Sequence, residues 1–333
     1  MSGRYALGVD FGGTKVLSAV VDVKTGEVVG TGKKKTRPAD GPGELMARLF
    51  DTADDAIKEA GLGATSLESV AGIGVGIAGQ VDTERGILLG APNLSQATVN
   101  LPMADLLTER YGVPAALRND VQIAAMGEAA FGAGREVEDF LCVFVGTGIG
   151  GAIVRDNKLV AGAGGTAGEI GHLVIDANGR LCGCGGRGHL EAYASRTAIT
   201  KALLGELHRG RESILRDLLP ASPKEEPGGA AIRSGILAKA VSQKDELVIE
   251  TITEAGQYLG LGLASAINLL NPTRIILGGG VIEAVDLLFN VAATRARREA
   301  LPAAARDVQI VKAGLGDNAG VVGAALLGAM AAM

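Results

Sequence analysis

Two of the chain's three cysteines, Cys182 and Cys184, and two of its three histidines, His172 and His189, fall inside one segment, GHLVIDANGRLCGCGGRGHLEAY, residues 171–193. Their spacing is H-x9-C-x-C-x4-H. A structural zinc ion takes four nitrogen or sulfur ligands in a tetrahedron, and two thiolates on a tight glycine turn are a common way to supply half of them. The competing reading is two buried free cysteines beside unrelated histidines. The gathering of both scarce residue types in one place favours the metal. This ligand set leaves no open coordination position, so the ion would hold shape rather than do chemistry.

A second kind of chemistry is offered by glycine-rich loops. VDFGGTK (9–15) puts Asp10 at the end of an apolar run and follows it with Gly12, Gly13, Thr14 and Lys15. Glycines let backbone N–H groups approach an anion, Thr14 adds a hydroxyl, and Asp10 could hold Mg²⁺ directly or through water. The pattern is not G-x-x-x-x-G-K-[ST], which leads into a helix; an apolar strand follows here. By itself the loop reads equally well as a hairpin without ligand. Two further clusters tip the balance toward a nucleotide: VGTGIGG (145–151), with Thr147 and Gly148, and LGGGV (277–281), with Gly279 and Gly280.

The third candidate is LRNDVQ, where Asn119 and Asp120 stand at a strand-to-helix junction. An acid there can simply cap the helix. It can also take the proton of an attacking hydroxyl in phosphoryl transfer, a reaction that otherwise needs mostly positioning and charge neutralisation.

The elements that must carry these groups are legible as alternating strands and helices. Residues 4–35 read as three consecutive strands with tight connections, 43–60 as a helix stopped by Gly61, 69–79 and 115–120 as strands. A helix follows Asp120. DFLCVFVGTGIGGAIVRDNKLV (139–160) repeats the strand–turn–strand pattern of YALGVDFGGTKVLSAVVD, which points to an internal duplication. A polar insert at 220–230 reads as a surface loop. A long helix over 245–272 feeds a strand at 274–280; a helix, a strand at 308–313 and a final helix come after it. The expected class is α/β, with helices covering the sheets.

Composition excludes several functions. With 47% hydrophobic and 21% charged residues the chain is a globular protein of one large or two ordinary domains. A net charge of −5 argues against a nucleic-acid partner, and GKKKTR and TRARRE read as solvated faces. No apolar run is long enough for a membrane span, and Asp10 and nearby glycines break any secretory signal. C-x-C neighbours are poorly placed to bridge each other and three cysteines make no disulfide framework, so a cytoplasmic location is expected.

Taken in order, DFGGTK, RNDVQIAAMGE, GTGIGGAIV, GEIGH, CGCGGRGHLEAYAS, INLLNPTRIILGGGV and LGDNAGVVGAALL resemble the signature segments of the ROK family of sugar kinases and related repressors, over about residues 5 to 330. The resemblance implies an actin-like ATPase (ribonuclease-H-like) fold: two α/β domains with an active-site cleft between them. On that basis the small domain is expected at 1–118 plus about 316–333, and the large one at 119–315. It implies Asp120 as general base, Asn119, Glu169, His172 and Glu191 as sugar ligands with Asn93 a further candidate, and ATP with Mg²⁺ on the glycine loops. The expected reaction is phosphorylation of a hexose at its 6-hydroxyl, glucose first, with fructose, mannose, allose and N-acylhexosamines as alternatives and polyphosphate as an alternative donor. The family's zinc segment has a third cysteine where His189 stands here, so a Cys₂His₂ site is expected in place of Cys₃His. Where the family continues Asp-Ala-Asn, this chain has Asp120-Val121-Gln122, and it has no Trp. The family's repressors carry an N-terminal helix-turn-helix, whereas this sequence opens on its first expected strand; a non-catalytic sugar-binding regulator is therefore the weaker reading. The resemblance also implies a homodimer or homotetramer.

Overall fold

The computed structural model describes residues 3–12, 15–36, 41–62, 70–91, 99–219 and 232–333. The insert at 220–230 lies outside them. In chain order, β1 (Tyr5–Phe11), β2 (Lys15–Asp22) and β3 (Val28–Lys35) are followed by α1 (Pro42–Glu59) and β4 (Val70–Ile77). A small hairpin, β5 (Gln80–Asp82) and β6 (Ile87–Gly90), precedes α2 (Met103–Tyr111), β7 (Ala115–Asn119) and α3 (Asp120–Phe131). Next come β8 (Phe140–Val145), β9 (Ile149–Arg155) and β10 (Lys158–Leu159). The helices α4 (Glu191–Ala194), α5 (Arg196–His208), α6 (Leu215–Leu218), α7 (Ser234–Ser242) and α8 (Glu246–Leu270) lead to β11 (Arg274–Gly278). The order is completed by α9 (Gly280–Ala284), α10 (Asp286–Glu299), α11 (Pro302–Ala305), β12 (Gln309–Lys312) and α12 (Ala319–Ala331).

The first sheet has the order β3-β2-β1-β4-β7. β1, β2 and β3 form an antiparallel meander, and β4 and β7 are added parallel to β1. The second sheet has the order β10-β9-β8-β11-β12, with β9 and β10 antiparallel and β8, β11 and β12 parallel. Strand for strand the two follow one path, so the duplication expected from sequence is present in the topology.

The chain divides into two compact units, one of residues 1–138, 153–167 and 313–333, the other of 139–152 and 168–312. The boundary expected at residue 118 falls instead at 138, because α3 packs on α12 and β4 and stays with the first sheet. On one face of that sheet Leu7, Val9, Ile73 and Val75 meet Leu45, Leu49 and Ala53 of α1 and Leu107 of α2. On the other, α12 lies almost in backbone contact. A Cβ on Gly74 would stand 1.8 Å from the Ala324 carbonyl oxygen, so glycine at that strand position is what admits the helix. The apolar run at 319–331 is accordingly a packed helix, and among the described residues no helix is long and apolar enough to cross a membrane.

The two basic runs lie as expected of solvated faces. Lys33 and Lys35 are exposed on the edge strand β3, and Arg297 and Arg298 are exposed in the last turn of α10.

Candidate functional site

In the first unit the parallel strands β1, β4 and β7 end on one edge of the sheet. Asp10 is the next-to-last residue of β1, paired with Gly76, and Asn119 ends β7 opposite Ile77. Asp120 follows as the first residue of α3. The same edge receives the start of α12, where a Cβ on Gly320 would lie 3.0 Å from Asp10 Cγ. A short 3-10 turn, Gly316–Asn318, brings Asp317 to within 3.7 Å of the Lys15 ammonium. Burial first, then the negative charge of Asp120, pushes the Asp10 carboxyl up to about 7; Lys15 opposes this and Asp317 adds to it. Carboxylates crowded at a sheet edge with one lysine form a site that a divalent cation would relieve.

The junction itself resolves which residue caps the helix. Asn119 is the cap: its Oδ1 accepts from Val121 N at 3.0 Å and Gln122 N at 3.3 Å. Asp120 sits one position further on, with Oδ1 accepting from Val121 N at 3.0 Å and its charge favoured by the positive end of the helix. Gln122 is buried and its Nε2 donates to the Gly165 carbonyl at 2.9 Å, tying the first turn of α3 to the loop over 161–167. At the other end of α3, the fully buried Glu128 accepts from the backbone N–H groups of Ala133, Gly314 and Leu315 at 2.7, 2.9 and 2.9 Å. That carboxylate fixes α3 to the connection that carries Asp317. Gly12 closes the β1–β2 hairpin through its N–H to Lys15 O at 2.9 Å, while Gly13 and Thr14 lie outside the described residues, as does Asn93.

In the second unit the four expected soft ligands are together. One ligand atom from each of His172, Cys182, Cys184 and His189 falls within 4.8 Å of all the others. His189 Nδ1 is 3.3 Å from His172 Nδ1 and 3.1 Å from Cys184 Sγ. The edges of a tetrahedron around zinc are about 3.4 Å between two nitrogens and about 3.6 Å between nitrogen and sulfur. These two distances are close to such edges, and two imidazoles and two thiols within 4.8 Å of one another are a donor set suited to zinc. The turn is closed by Cys182 N–H to Gly186 O at 2.8 Å and Gly185 N–H to Cys182 O at 3.0 Å. Gly188, at φ +71°, brings the chain back to His189 where any Cβ would strike the Asp176 carbonyl. Burial pushes the Cys182 thiol above its ordinary range, a cost that a bound cation would reverse.

Glu169 and Glu191 flank this knot. Desolvation pushes the Glu169 carboxyl above the usual range, with His172 opposing and Glu191 adding. Glu191 is held at both oxygens: Oε2 accepts from Ile149 N at 2.8 Å, and Oε1 from the Cys182 thiol at 3.7 Å. It therefore links the Cys/His turn to the second glycine hairpin. In that hairpin Thr147 Oγ1 accepts from Arg196 Nη2 at 2.8 Å. The third glycine cluster meets the second: Gly279, at φ +89°, is so close to β8 that a Cβ would stand 2.6 Å from Val145 O. Of the sequence-derived residues, then, Asp10, Lys15, Asn119 and Asp120 lie in the first unit. Thr147, Gly148, Glu169, His172, Glu191, Gly279 and Gly280 lie in the second. Sequence reasoning missed Asp317, Gln122, Glu128 and Arg196. Only Asp317 carried a local signal, an acid just before a helix start.

Two mixed sheets of one topology, each with helices packed on its strands, and acids at the strand ends of the first, define the actin-like ATPase class. Comparison with known proteins agrees. The ROK family model matches residues 6–330, and the chain belongs to that family. It is 33% identical to a glucokinase of Halalkalibacterium halodurans over 97% of this chain and 94% of the relative. Its structure is similar to that of a ROK family glucokinase from Streptomyces griseus in complex with glucose and AMPPNP, with TM-score 0.84, 32% identity and coverage of 98% and 99%. It is also similar to a ROK family transcriptional regulator homologous to the Escherichia coli Mlc protein, with TM-score 0.82, 28% identity, and coverage of 99% of this chain and 78% of that one.

Proposed function

We propose that this chain transfers the terminal phosphoryl group of ATP to the 6-hydroxyl of a hexose, with glucose the favoured substrate. The observation that carries the reading is Asp10 and Asp120 on one sheet edge, close enough for the charge of one to raise the pKa of the other. Likeness over nearly the whole chain to glucokinases supports the substrate class.

In this reading Asp120 accepts the proton of the sugar hydroxyl as that oxygen attacks phosphorus. Asn119 spends its side-chain oxygen on the helix cap, so its Nδ2 is what it has to offer a sugar oxygen. Asp10 would hold Mg²⁺, which supplies charge neutralisation for the triphosphate. Glu169 and His172 would meet sugar hydroxyls. Glu191 joins them only by releasing one of its two present contacts, and a Cys182 thiolate bound to metal has no proton left to donate to it. His172, Cys182, Cys184 and His189 would hold zinc, which supplies a fixed turn.

The experiment is ADP release by the purified chain across a panel of hexoses with Mg²⁺–ATP. Turnover highest with glucose is expected; no turnover with any hexose overturns the reading. That second outcome would favour a sugar-binding regulator, the alternative supported by likeness to the Mlc-related protein.

A further inference from the structure

Arg196 opens α5, and its position is electrostatically costly. The backbone N–H donates to the Gly146 carbonyl at 2.9 Å and Nη2 donates to Thr147 Oγ1 at 2.8 Å. The hydroxyl of the next residue, Thr197, donates to the Thr147 carbonyl at 2.7 Å. The first turn of α5 thus clamps the glycine turn at 146–148. Nε of Arg196, however, is buried without a hydrogen-bond partner, and among the described residues no carboxylate pairs with the guanidinium. Burial lowers the guanidinium's pKa, and no acid opposes that shift.

Two effects make this arrangement unfavourable in the free protein. A half-buried guanidinium with no acid beside it and an unpartnered, buried Nε loses part of its hydration without recovering it as an ion pair. It also stands at the positive end of a 13-residue helix, where the dipole repels a cation. Holding Thr147 alone would need only a neutral donor. A charge placed here at such a cost is accounted for by an anion that joins it. We infer that Arg196 is a binding residue for the phosphoryl donor, its guanidinium meeting phosphate oxygens of the nucleotide where it already contacts Thr147. The planar fork of a guanidinium matches phosphate oxygens in geometry as well as charge. The identity of the anion rests on the kinase reading; the existence of the anion site does not.

The test therefore has two arms, each run on the full chain, as wild type, R196Q and R196K. In the first, thermal unfolding is followed with and without inorganic triphosphate in the absence of magnesium. Triphosphate should raise the wild-type Tm, R196Q should lose that rise and R196K should keep part of it. Ligand-free R196Q should be at least as stable as wild type, because it removes an unpaired charge. In the second arm, R196Q should raise KM for ATP at least about tenfold while KM for the sugar stays within about twofold. An equal triphosphate shift in wild type and R196Q overturns the inference. So does an R196Q protein that is less stable without ligand and unchanged in KM for ATP, which would make Arg196 a support for the turn. A wild type without ADP release but with an Arg196-dependent triphosphate shift would sink the kinase reading and leave the anion site standing.

Discussion

The two units of this chain follow one strand path and hold different chemistry on it. In the first, carboxylates stand where strands end: Asp10 on β1, and Asp120 where β7 runs without a gap into α3. Their positions are set by sheet register, a helix cap and the backbone contacts of Glu128. In the second, the sulfur and nitrogen donors sit in the long connection between β10 and α5, which is held by turn hydrogen bonds and two isolated bridges, Val174 with His189 and Leu181 with Arg187, rather than by a sheet. A site on strand ends is pre-formed by the fold. In the proposed reading a metal on the four converging soft donors would pin this connection further.

That contrast predicts opposite phenotypes. The largest effect should come from Asp120→Asn, which keeps the side chain's size at the start of α3: turnover should fall by roughly 10² to 10⁴ with Tm nearly unchanged. Cys184→Ala, or removal of metal by a chelator, should do the reverse. Tm should drop and the sugar KM should rise on the order of tenfold or more, with metal analysis finding about one zinc per wild-type chain. Glu128→Gln should cost about 1–3 kcal/mol in chemical denaturation, because an amide turns N–H groups toward backbone N–H donors that the carboxylate satisfied.

A further effect concerns pH. The raised pKa of Asp10, about 7, means that burial penalises its charged form. Its contribution is most favourable at low pH, below the unfolded carboxylate value, and is lost as pH rises through about 7. The ligand-free wild type should therefore lose stability relative to Asp10→Asn between about pH 5 and about pH 8, by at most about 1.4 kcal/mol per pH unit. Parallel Tm curves for the two proteins would remove Asp10 from the account.

Much of this was legible in the sequence because it rests on local rules. Short apolar runs bounded by glycine turns marked β1 to β4, and the long helical run stopped by Asn271-Pro272 marked α8, which ends at Leu270 with Asn271 in the left-handed conformation. The Cys/His knot was legible because scarce residues at close spacing are a strong signal. What escaped depends on partners distant in sequence. Glu191 reads as a plain acid until Ile149 N–H and Cys182 are seen on its two oxygens. Glu128 reads as a helix-face glutamate, yet it is buried against residues 186 and 187 positions away. Arg196 reads as a solvated arginine, and only the structure shows its Nη2 on Thr147 and its Nε buried without a partner. The boundary at 118 missed for a related reason: the packing of α3 on α12 joins segments far apart in the chain.

The proposed division of roles, Asp120 for proton transfer and the Cys/His turn for positioning sugar-binding residues of the second unit, is tested most directly by calorimetric titration of glucose into Asp120→Asn and Cys184→Ala, set beside the turnover of each. Asp120→Asn should bind glucose with near wild-type affinity while nearly inactive, and Cys184→Ala should bind it weakly while keeping turnover at saturating sugar. Loss of glucose binding in Asp120→Asn, with Cys184→Ala unaffected, would contradict that division.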